Sequence, residues 1–349
     1  MSNSSNNLKK LNNSVFLYTE DNVSIDTYFE ESSEKEIEIE NINKEINNLQ
    51  DLIDLGKIYN SKKRYNIDLR ILNKLVEPLI ELNNMIGMES VKQDMVDHIL
   101  FKIQNLSFNN DMMHTVIQGP PGVGKTQLAR IIGKIYLAMG ILRNNKFIKA
   151  TRSQLIAGYL GQTAKATQKM IDAARGGILF IDEVYALGNS EKRDSFSKEC
   201  IDTINENLTE RKQDFICIIA GYKDEIEKCF FSYNSGLERR FPVKFTIEPY
   251  NPTEIYDIFK KKVDEEEWQI DETIKEDFFK DNYDEFKFFG GDMENLFSRC
   301  KRAHSRRLFS SSGIKKKVLN KTDLVKGYEI FKLHRNEKED DTKWKSLYN

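Results

Sequence analysis

Apolar residues fall into two kinds of run along this chain. Five short stretches are almost continuously apolar, β-branched or aromatic: HTVIQ (114–118), KFIKA (146–150), GILFID (177–182), FICIIA (215–220) and PVKFTI (242–247). Segments of helical character separate them. Strands buried on both faces lose the in-out alternation of a half-exposed sheet, so the pattern predicts an α/β fold: a parallel five-stranded sheet flanked by helices. Beyond Pro249 the strands are expected to stop. TEIYDIFKKKVDEEEW, DETIKEDFFKDNYDEF, DMENLFSRCKRAHSRRLF and KTDLVKGYEIFKLH each read as a helix, which predicts a small α-helical lid domain with EPYNP at the joint. No internal repeat is visible.

Ahead of the sheet the texture differs. Residues 1–34 are rich in Asn, Ser and Glu with few apolar anchors, a composition that predicts disorder. In EIEIENINKEINNLQDLIDL, Ile39, Ile42, Ile46, Leu49 and Ile53 step by three and four and mark one helix face. The repeat is short for a coiled coil. It predicts an amphipathic helix lying on the main body, with a self-association helix as the alternative. The expected order is therefore a tail (1–34), a helical extension (35–79), an α/β domain (80–249), the lid (250–335) and a C-terminal tail (336–349).

Composition narrows the class. The formal net charge of the 349 residues is −2, so bulk electrostatics draw the chain neither to DNA nor to an anionic membrane. No apolar run approaches the length of a bilayer span. The start MSNSSNNLKK has neither a signal-peptide core nor a myristoylation glycine. Cys200, Cys217, Cys229 and Cys300 are scattered with no CxxC pair, which argues for buried or free thiols and against zinc or a disulfide framework. A cytoplasmic, reducing compartment is the expectation.

The chemistry is concentrated in two motifs. GPPGVGKT (119–126) follows a strand and opens the helix QLARIIGKIYLAM. In that setting Gly119, Pro120, Pro121, Gly122, Val123, Gly124, Lys125, Thr126 and Gln127 read as a phosphate loop. Gly122 and Gly124 let backbone N–H groups turn inward as an anion nest, and the helix N-terminus adds the positive end of its dipole. Lys125 is expected to reach the β- and γ-phosphates and Thr126 to hold Mg²⁺. In ILFIDE, apolar residues lead directly to Asp182 and Glu183. Two carboxylates at the end of a buried strand are costly unless they face a cation or water. Asp182 fits the Mg²⁺ shell and Glu183 fits a general base for the attacking water. Together the motifs point to Mg²⁺-dependent hydrolysis of a nucleoside triphosphate, with ATP and Mg²⁺ as the cofactors.

With these residues in place, the chain from about 80 to 333 resembles the AAA+ ATPases. GPPGVGKT and LFIDE match that family's Walker A and Walker B motifs, and MIGMESVKQDM (85–95) resembles the segment lying over the adenine, which assigns Ile86 and Gly87 to the nucleotide. SQLIAGYLGQTAKATQKMIDAARGGILFIDEVYAL and IIAGYKDEIEKCF are most similar to the branch of red-type Rubisco activase and stage V sporulation protein K. The resemblance implies a P-loop NTPase fold, a homo-oligomer in the form of a hexameric ring, and a protein client. It also implies an arginine finger just before the fifth strand, where SGLERRFP places Arg239 and Arg240; either could stabilise charge on a phosphate held by a neighbouring copy. The alternative is that both pair with local acids such as Glu238. The loop AGYLGQT resembles the family's pore loop, with Tyr159 between glycines as the grip on a polypeptide; the alternative is a tyrosine packed on its own domain.

Two places depart from the family pattern. Where Asn or Thr commonly ends the fourth strand, this chain has Tyr222. The lid stretch FGGDMENLF resembles a Gly-x-Asp form without the arginine some branches carry; Gly290 and Gly291 would let the helix approach the nucleotide, while Arg299 and Arg302 lie further on. The basic run SRCKRAHSRR and IKKK reads as a nucleic-acid contact or as a solvated lid face. Three functions stay open: an ATP-driven remodeller threading a protein through a ring, a nucleic-acid motor or loader, and a nucleotide-controlled scaffold with slow hydrolysis.

Overall fold

In the computed structural model the described residues are 39–104, 106, 111–159, 161–188, 194–310 and 315–346. The tail expected at 1–34 lies outside them. The five apolar runs form one parallel sheet: β1 (Thr115–Gln118), β2 (Phe147–Ala150), β3 (Ile178–Ile181), β4 (Ile216–Gly221) and β5 (Val243–Thr246). Their spatial order is β2-β3-β4-β1-β5. Every residue of β1, β3 and β4 is buried, which is why these runs lack alternation.

The two faces of the sheet carry separate cores. Ile178 and Phe180 of β3, Ile117 of β1 and Ile216, Ile218 and Ala220 of β4 point to one face. Leu179, Ile181, Val116, Cys217 and Ile219 point to the other. The second face is covered by the short α5 (Arg152–Leu155), α6 (Thr163–Ala173), α7 (Ser195–Glu210) and α8 (Lys223–Cys229), through Leu155, Ile171, Ile201, Ile204 and Ile226. On the first face lie α3 (Glu89–Ile103) and α4 (Lys125–Ala138), joined by α1 (Leu49–Ile58) and α2 (Leu69–Asn83).

The N-terminal helix differs from its expected form. α1 begins only at Leu49, where the Asn48 side chain accepts the Asp51 amide at 3.1 Å. Asn is a strong N-cap, so the helix starts there and not upstream. Ile39–Glu40 instead pairs in parallel with Arg64–Tyr65, and Ile39 is 55% exposed. Of the apolar stripe, Leu49 and Ile53, with Leu52, are buried in the core, and Ile42 and Ile46 pack against it partly buried. The residue-80 boundary falls inside α2, whose Leu75, Leu79 and Leu82 are fully buried in the same core as the sheet.

The lid opens on α9 (Pro252–Glu265). Asn251 caps it by accepting from the Glu254 amide (2.9 Å), Glu254 accepts back from the Asn251 amide (2.7 Å), and Pro252 fills the first turn. α10 (Asp277–Asp281) is much shorter than the helix expected over DETIKEDFFKDNYDEF. The Asp271 side chain captures the Thr273 amide at 2.9 Å, holding the start in a turn, and Asn282 Nδ2 donates to the Phe278 carbonyl at its end. α11 (Gly290–Ser310) and α12 (Lys321–Ser346) complete the lid, and a two-residue parallel pairing of Gln269–Ile270 with Val318–Leu319 adds strand where none was expected. Asp323 is buried at the base of α12; Arg307 Nε and a second guanidinium nitrogen donate to it at 2.8 and 2.7 Å, and His304 Nδ1 lies at 3.1 Å. All four cysteines are buried and unpaired.

His114, just ahead of β1, is fully buried with both ring nitrogens used: Nδ1 accepts from the Cys217 amide (3.0 Å) and Nε2 donates to the Leu208 carbonyl (3.1 Å). These partners require the neutral ring, and burial lowers its pKa from 6.5 to about 4. The unfolded chain takes up this proton first as pH falls. Stability is therefore expected to decline from about pH 6.5 towards about pH 4 and then level off, with this histidine contributing at most about 1.4 kcal/mol per pH unit. Urea melts across that window check it: His114→Gln should flatten the slope.

Candidate active site

Parallel register delivers the chemistry to one edge of the sheet. Gln118 of β1 pairs with Gly221 of β4, and Ile181 of β3 pairs with Ile219 of β4. The segments that leave these strands therefore emerge side by side: the phosphate loop after β1, Asp182 and Glu183 after β3, Tyr222 after β4. A cavity of about 380 Å³ opens between them, lined by Pro121, Gly122, Gly124, Lys125, Thr126, Gln127, Asp182, Glu183, Tyr185, Gly221 and Tyr222. Gly122 and Gly124 hold φ of +73° and +88°, the left-handed region that side chains resist, and Gly124 is the residue from which α4 starts. Lys125 folds over the loop and donates to the Gly119 (2.9 Å) and Pro120 (2.7 Å) carbonyls. Burial lowers its pKa, and the nearby Asp182 and Glu183 carboxylates oppose that shift.

The acids are arranged asymmetrically. Thr126 Oγ1 donates to Asp182 Oδ2 at 2.9 Å, and Lys149 Nζ pairs with the same oxygen at 2.9 Å. Lys149 is opposite Phe180 in the β2–β3 register, so its side chain lies on the face shared by Phe180 and Asp182. Glu183 sits in the left-handed region with φ of 50°, uncommon for a residue with a side chain, and opens the tight helical turn Val184–Leu187.

A second cavity, about 190 Å³, adjoins the loop on the lid side. It is lined by Met85, Ile86, Gly122, Gly124, Gln127, Tyr250, Ile258, Lys261, Lys262, Glu265, Gly290 and Glu294. Met85, Ile86 and Ile258 give it an apolar wall suited to a purine face. The lid is fastened to the loop here: the Gly290 amide donates to the Gly122 carbonyl (3.1 Å), Tyr250 Oη donates to the Val123 carbonyl (3.0 Å), and Tyr283 Oη donates to the Tyr250 carbonyl (2.7 Å). A Cβ on Gly290 would stand 2.9 Å from the Gly122 oxygen, so this approach needs glycine. Burial pushes the Tyr250 phenol up to about 12, keeping it a donor.

The sequence profile of the ATPase family associated with various cellular activities (AAA) matches residues 115–248. A cfxQ-like protein of Acanthamoeba polyphaga mimivirus is 45% identical over 299 residues, 83% of this chain and 73% of that protein. Stage V sporulation protein K of Bacillus subtilis is 34% identical over 242 residues, 65% of this chain and 74% of that one. The chain belongs to the AAA ATPase family. Among solved structures, the FIGL-1 AAA domain in complex with ADP superposes with a TM-score of 0.51 at 17% identity, over 71% of this chain and 83% of that one, a likeness of fold.

In this AAA ATPase the expected nucleotide residues divide into groups. Ile86, Gly122, Gly124, Lys125, Thr126, Gln127, Asp182, Glu183, Tyr222 and Gly290 line the two cavities with Pro121. Gly119 and Pro120 hold Lys125 through their carbonyls. The Val123 side chain is buried in the core and only its backbone faces the loop. Gly87 packs against Glu254 and Tyr250, and the Gly291 amide bonds the Phe288 carbonyl, and neither lines these two cavities.

The remaining candidates stand away from these cavities. Arg240 donates to Thr209 Oγ1 (2.6 Å) and to the Gly236 carbonyl (2.6 Å). Arg239 is exposed and makes no ion pair or hydrogen bond with the described residues; Glu238 pairs with Lys244 at 2.6 Å and not with either arginine. Arg239 lines a cavity with His98, Phe101, Met113, Pro242 and Val243. Val243 is level with Thr115, the first residue of β1, whereas the phosphate loop follows the last. The arginine therefore lies beyond the opposite end of the strands, whose length alone is about 10 Å at ~3.3 Å per residue. Tyr159 is 74% exposed, and a Cβ built on Gly158 or Gly161 would meet open space.

Sequence reading missed Lys149, Tyr185, Tyr250 and the Lys261–Lys262–Glu265 wall. A lysine inside the apolar run KFIKA was a usable signal for the first; the others are visible only once the chain is folded. Replacing Lys125 with Ala is expected to weaken binding of a fluorescent ADP analogue by roughly 10- to 100-fold, the worth of a charged hydrogen-bonding group. A titration of that fluorescence, beside an unchanged thermal melt, checks it.

Proposed function

We propose that this AAA ATPase hydrolyses ATP with Mg²⁺ in a ring of identical copies, most simply a hexamer, and that hydrolysis drives work on a protein client. The Thr126 hydroxyl and Asp182 carboxylate, 2.9 Å apart, form the hard oxygen pair that Mg²⁺ takes beside phosphates. Bound there, the ion would supply positive charge against the phosphate oxygens. Lys125 leaves its loop carbonyls to neutralise the β- and γ-phosphates. Glu183 takes a proton from the attacking water. Tyr222 borders that water in place of the more common amide or hydroxyl. The apolar wall around Ile86 receives the base.

The observation that carries the ring is the separation of Arg239 from its own phosphate loop. An exposed guanidinium at the far edge of the sheet cannot serve its own nucleotide, yet it is free to meet a second copy's. A head-to-tail contact of that kind repeats until it closes. Arg239 is therefore the finger, and Arg240, tied to Thr209 and Gly236, braces the turn that presents it. The exposure of Tyr159 between open glycines supports its role as an apolar grip on a threaded polypeptide.

The nucleic-acid reading loses support in the lid. Arg307 and His304 turn inward to Asp323, and Lys301 pairs with Glu266 at 2.6 Å, so part of the basic run is neutralised within the fold. A scaffold with little turnover would not need Glu183.

Arg239→Ala is expected to lower kcat roughly a thousandfold while leaving ADP binding intact; Arg240→Ala should chiefly lower the melting temperature. Mixing is the decisive form of the test. Arg239→Ala subunits keep a whole nucleotide site, and Glu183→Gln subunits keep the finger, so the two inactive proteins combined should recover turnover. Recovery absent at every ratio would sink the ring. Tyr159→Ala should retain ATP turnover and lose client-stimulated turnover; stimulation by DNA or RNA instead would favour the nucleic-acid motor.

A further inference from the structure

Arg152, the first residue of α5, stands between the hydrolytic turn and the loop that carries Tyr159. On one side lies the tight turn Val184–Leu187, which Glu183 opens. The last carbonyls of a helical turn have no partner within it. Arg152 Nη1 donates to two of them, Ala186 O at 2.5 Å and Leu187 O at 2.9 Å. The same nitrogen lies 3.3 Å from Ser197 Oγ, and Nη2 donates to Asp194 Oδ2 at 2.9 Å, where α7 starts. All four acceptors are 34 to 45 residues further along the chain. On the other side, α5 leads straight into the loop. Gln154 Oε1 accepts from the Thr151 amide at 3.0 Å and closes α5 at its start. The Leu155 carbonyl accepts from Thr167 Oγ1 of α6 at 2.9 Å, and the Ala157 amide donates to the buried Thr163 hydroxyl at 3.2 Å. The base of the loop is thereby fixed to α5 and α6, and the exposed Tyr159 projects from it.

We propose that Arg152 is the positioning residue of the hydrolytic turn and ties that turn to the Tyr159 loop, so that the nucleotide beside Glu183 sets where the loop stands. The proposal rests on Glu183 as general base and on Tyr159 as the contact with a protein client. Glu183 holds φ of 50°, a strained backbone that persists only where its surroundings over-determine it. Two charge-assisted bonds at the far end of the turn supply that restraint. A four-residue 3₁₀ turn spans about 8 Å at ~2 Å per residue, too short to absorb a shift at its first residue. Movement of Glu183 towards a γ-phosphate therefore displaces the Ala186 and Leu187 carbonyls. The planar guanidinium grips these and Asp194 in one rigid fork, so α5 and the loop base follow.

The test places a bimane fluorophore on Tyr159→Cys. The four native cysteines are buried, so the label goes to the loop, and the chain without this substitution measures any background. With Arg152 intact, emission should differ between saturating ADP and a saturating non-hydrolysable ATP analogue, each with Mg²⁺. Arg152→Met should abolish that difference and, in the unlabelled chain, lower kcat about tenfold, the worth of one charge-assisted bond. Arg152→Lys keeps the charge beside Asp194, but its single nitrogen cannot reproduce the fork; it carries the test if the Met variant does not fold, and should lose most of the difference. A merely structural arginine would lower the melting temperature and leave the emission difference at full size. That outcome in either folded variant, or no difference with Arg152 intact, overturns the tie. Wild-type turnover by Glu183→Gln would instead overturn the general-base reading, and client-stimulated turnover retained in Tyr159→Ala the client reading.

Discussion

The parallel register of β1, β3 and β4 is the constraint on which the rest depends. Because Gln118 is level with Gly221, and Ile181 with Ile219, three unrelated loops leave the sheet within one side chain's reach of each other. No single loop could build this site. The phosphate loop supplies N–H groups and a lysine, the turn after β3 supplies carboxylates, and the end of β4 supplies a phenol. A slip of one residue in β3 would turn its alternating side chains to the opposite cores. Ile178 and Phe180 now face one core and Leu179 and Ile181 the other, so such a slip would have to repack two close-packed cores at once.

Charge balance follows from that geometry. Asp182 ends a wholly buried strand, where an unpaired carboxylate is expensive. Lys149 on β2 and the Thr126 hydroxyl both reach Asp182 Oδ2, so the carboxylate is partnered within the fold. Lys125, partly buried, is likewise held by two backbone carbonyls and forms no ion pair among the described residues. A group held by neutral dipoles moves to a phosphate more readily than one locked in an ion pair. The lid adds the third side: Tyr250 and Gly290 bond the loop's own carbonyls, so any shift of the loop is felt in α9 and α11.

Much of this was legible in the sequence, for identifiable reasons. β1, β3 and β4 could be read because burial on both faces leaves continuous apolar runs, β2 and β5 because their β-branched and aromatic residues mark them although they are partly exposed, and the phosphate loop because its glycines hold a backbone that side chains resist. Glu183 and Asp182 were legible because charge directly after ILFI has no structural excuse. Other elements turned on local competition that periodicity does not register. Asn48 outbid the upstream isoleucines for the start of α1, and the Asp271 and Asn282 side chains broke one expected lid helix into turns. Tyr250 and Tyr185 make their contacts, to Val123 and to Tyr222, with residues distant in sequence. Their sequence neighbourhoods, EPYNP and EVYAL, look like a linker and a helix start. The inward turn of His304 and Arg307 hid behind a run that reads as surface charge, because a partner such as Asp323 lies on another helix.

The paired arginines show how a short turn can divide one sequence signal into two roles. Glu238–Arg240 is a 3₁₀ turn. At three residues per turn, successive side chains leave its axis about 120° apart. Arg239 and Arg240 therefore cannot face the same way, although they adjoin in sequence. One guanidinium is drawn back onto Thr209 of α7 and the Gly236 carbonyl, which fixes the turn against the body of the domain. The other is left projecting from a rigid base. In the finger role proposed for Arg239, a long cationic side chain on a flexible loop would lose rotamer freedom on meeting a phosphate, and that loss would weaken its stabilisation of the transition state. Bracing the neighbouring residue removes backbone motion from that cost while leaving the projecting group unshared. Doubling the arginine is thus a mechanical device before it is an electrostatic one.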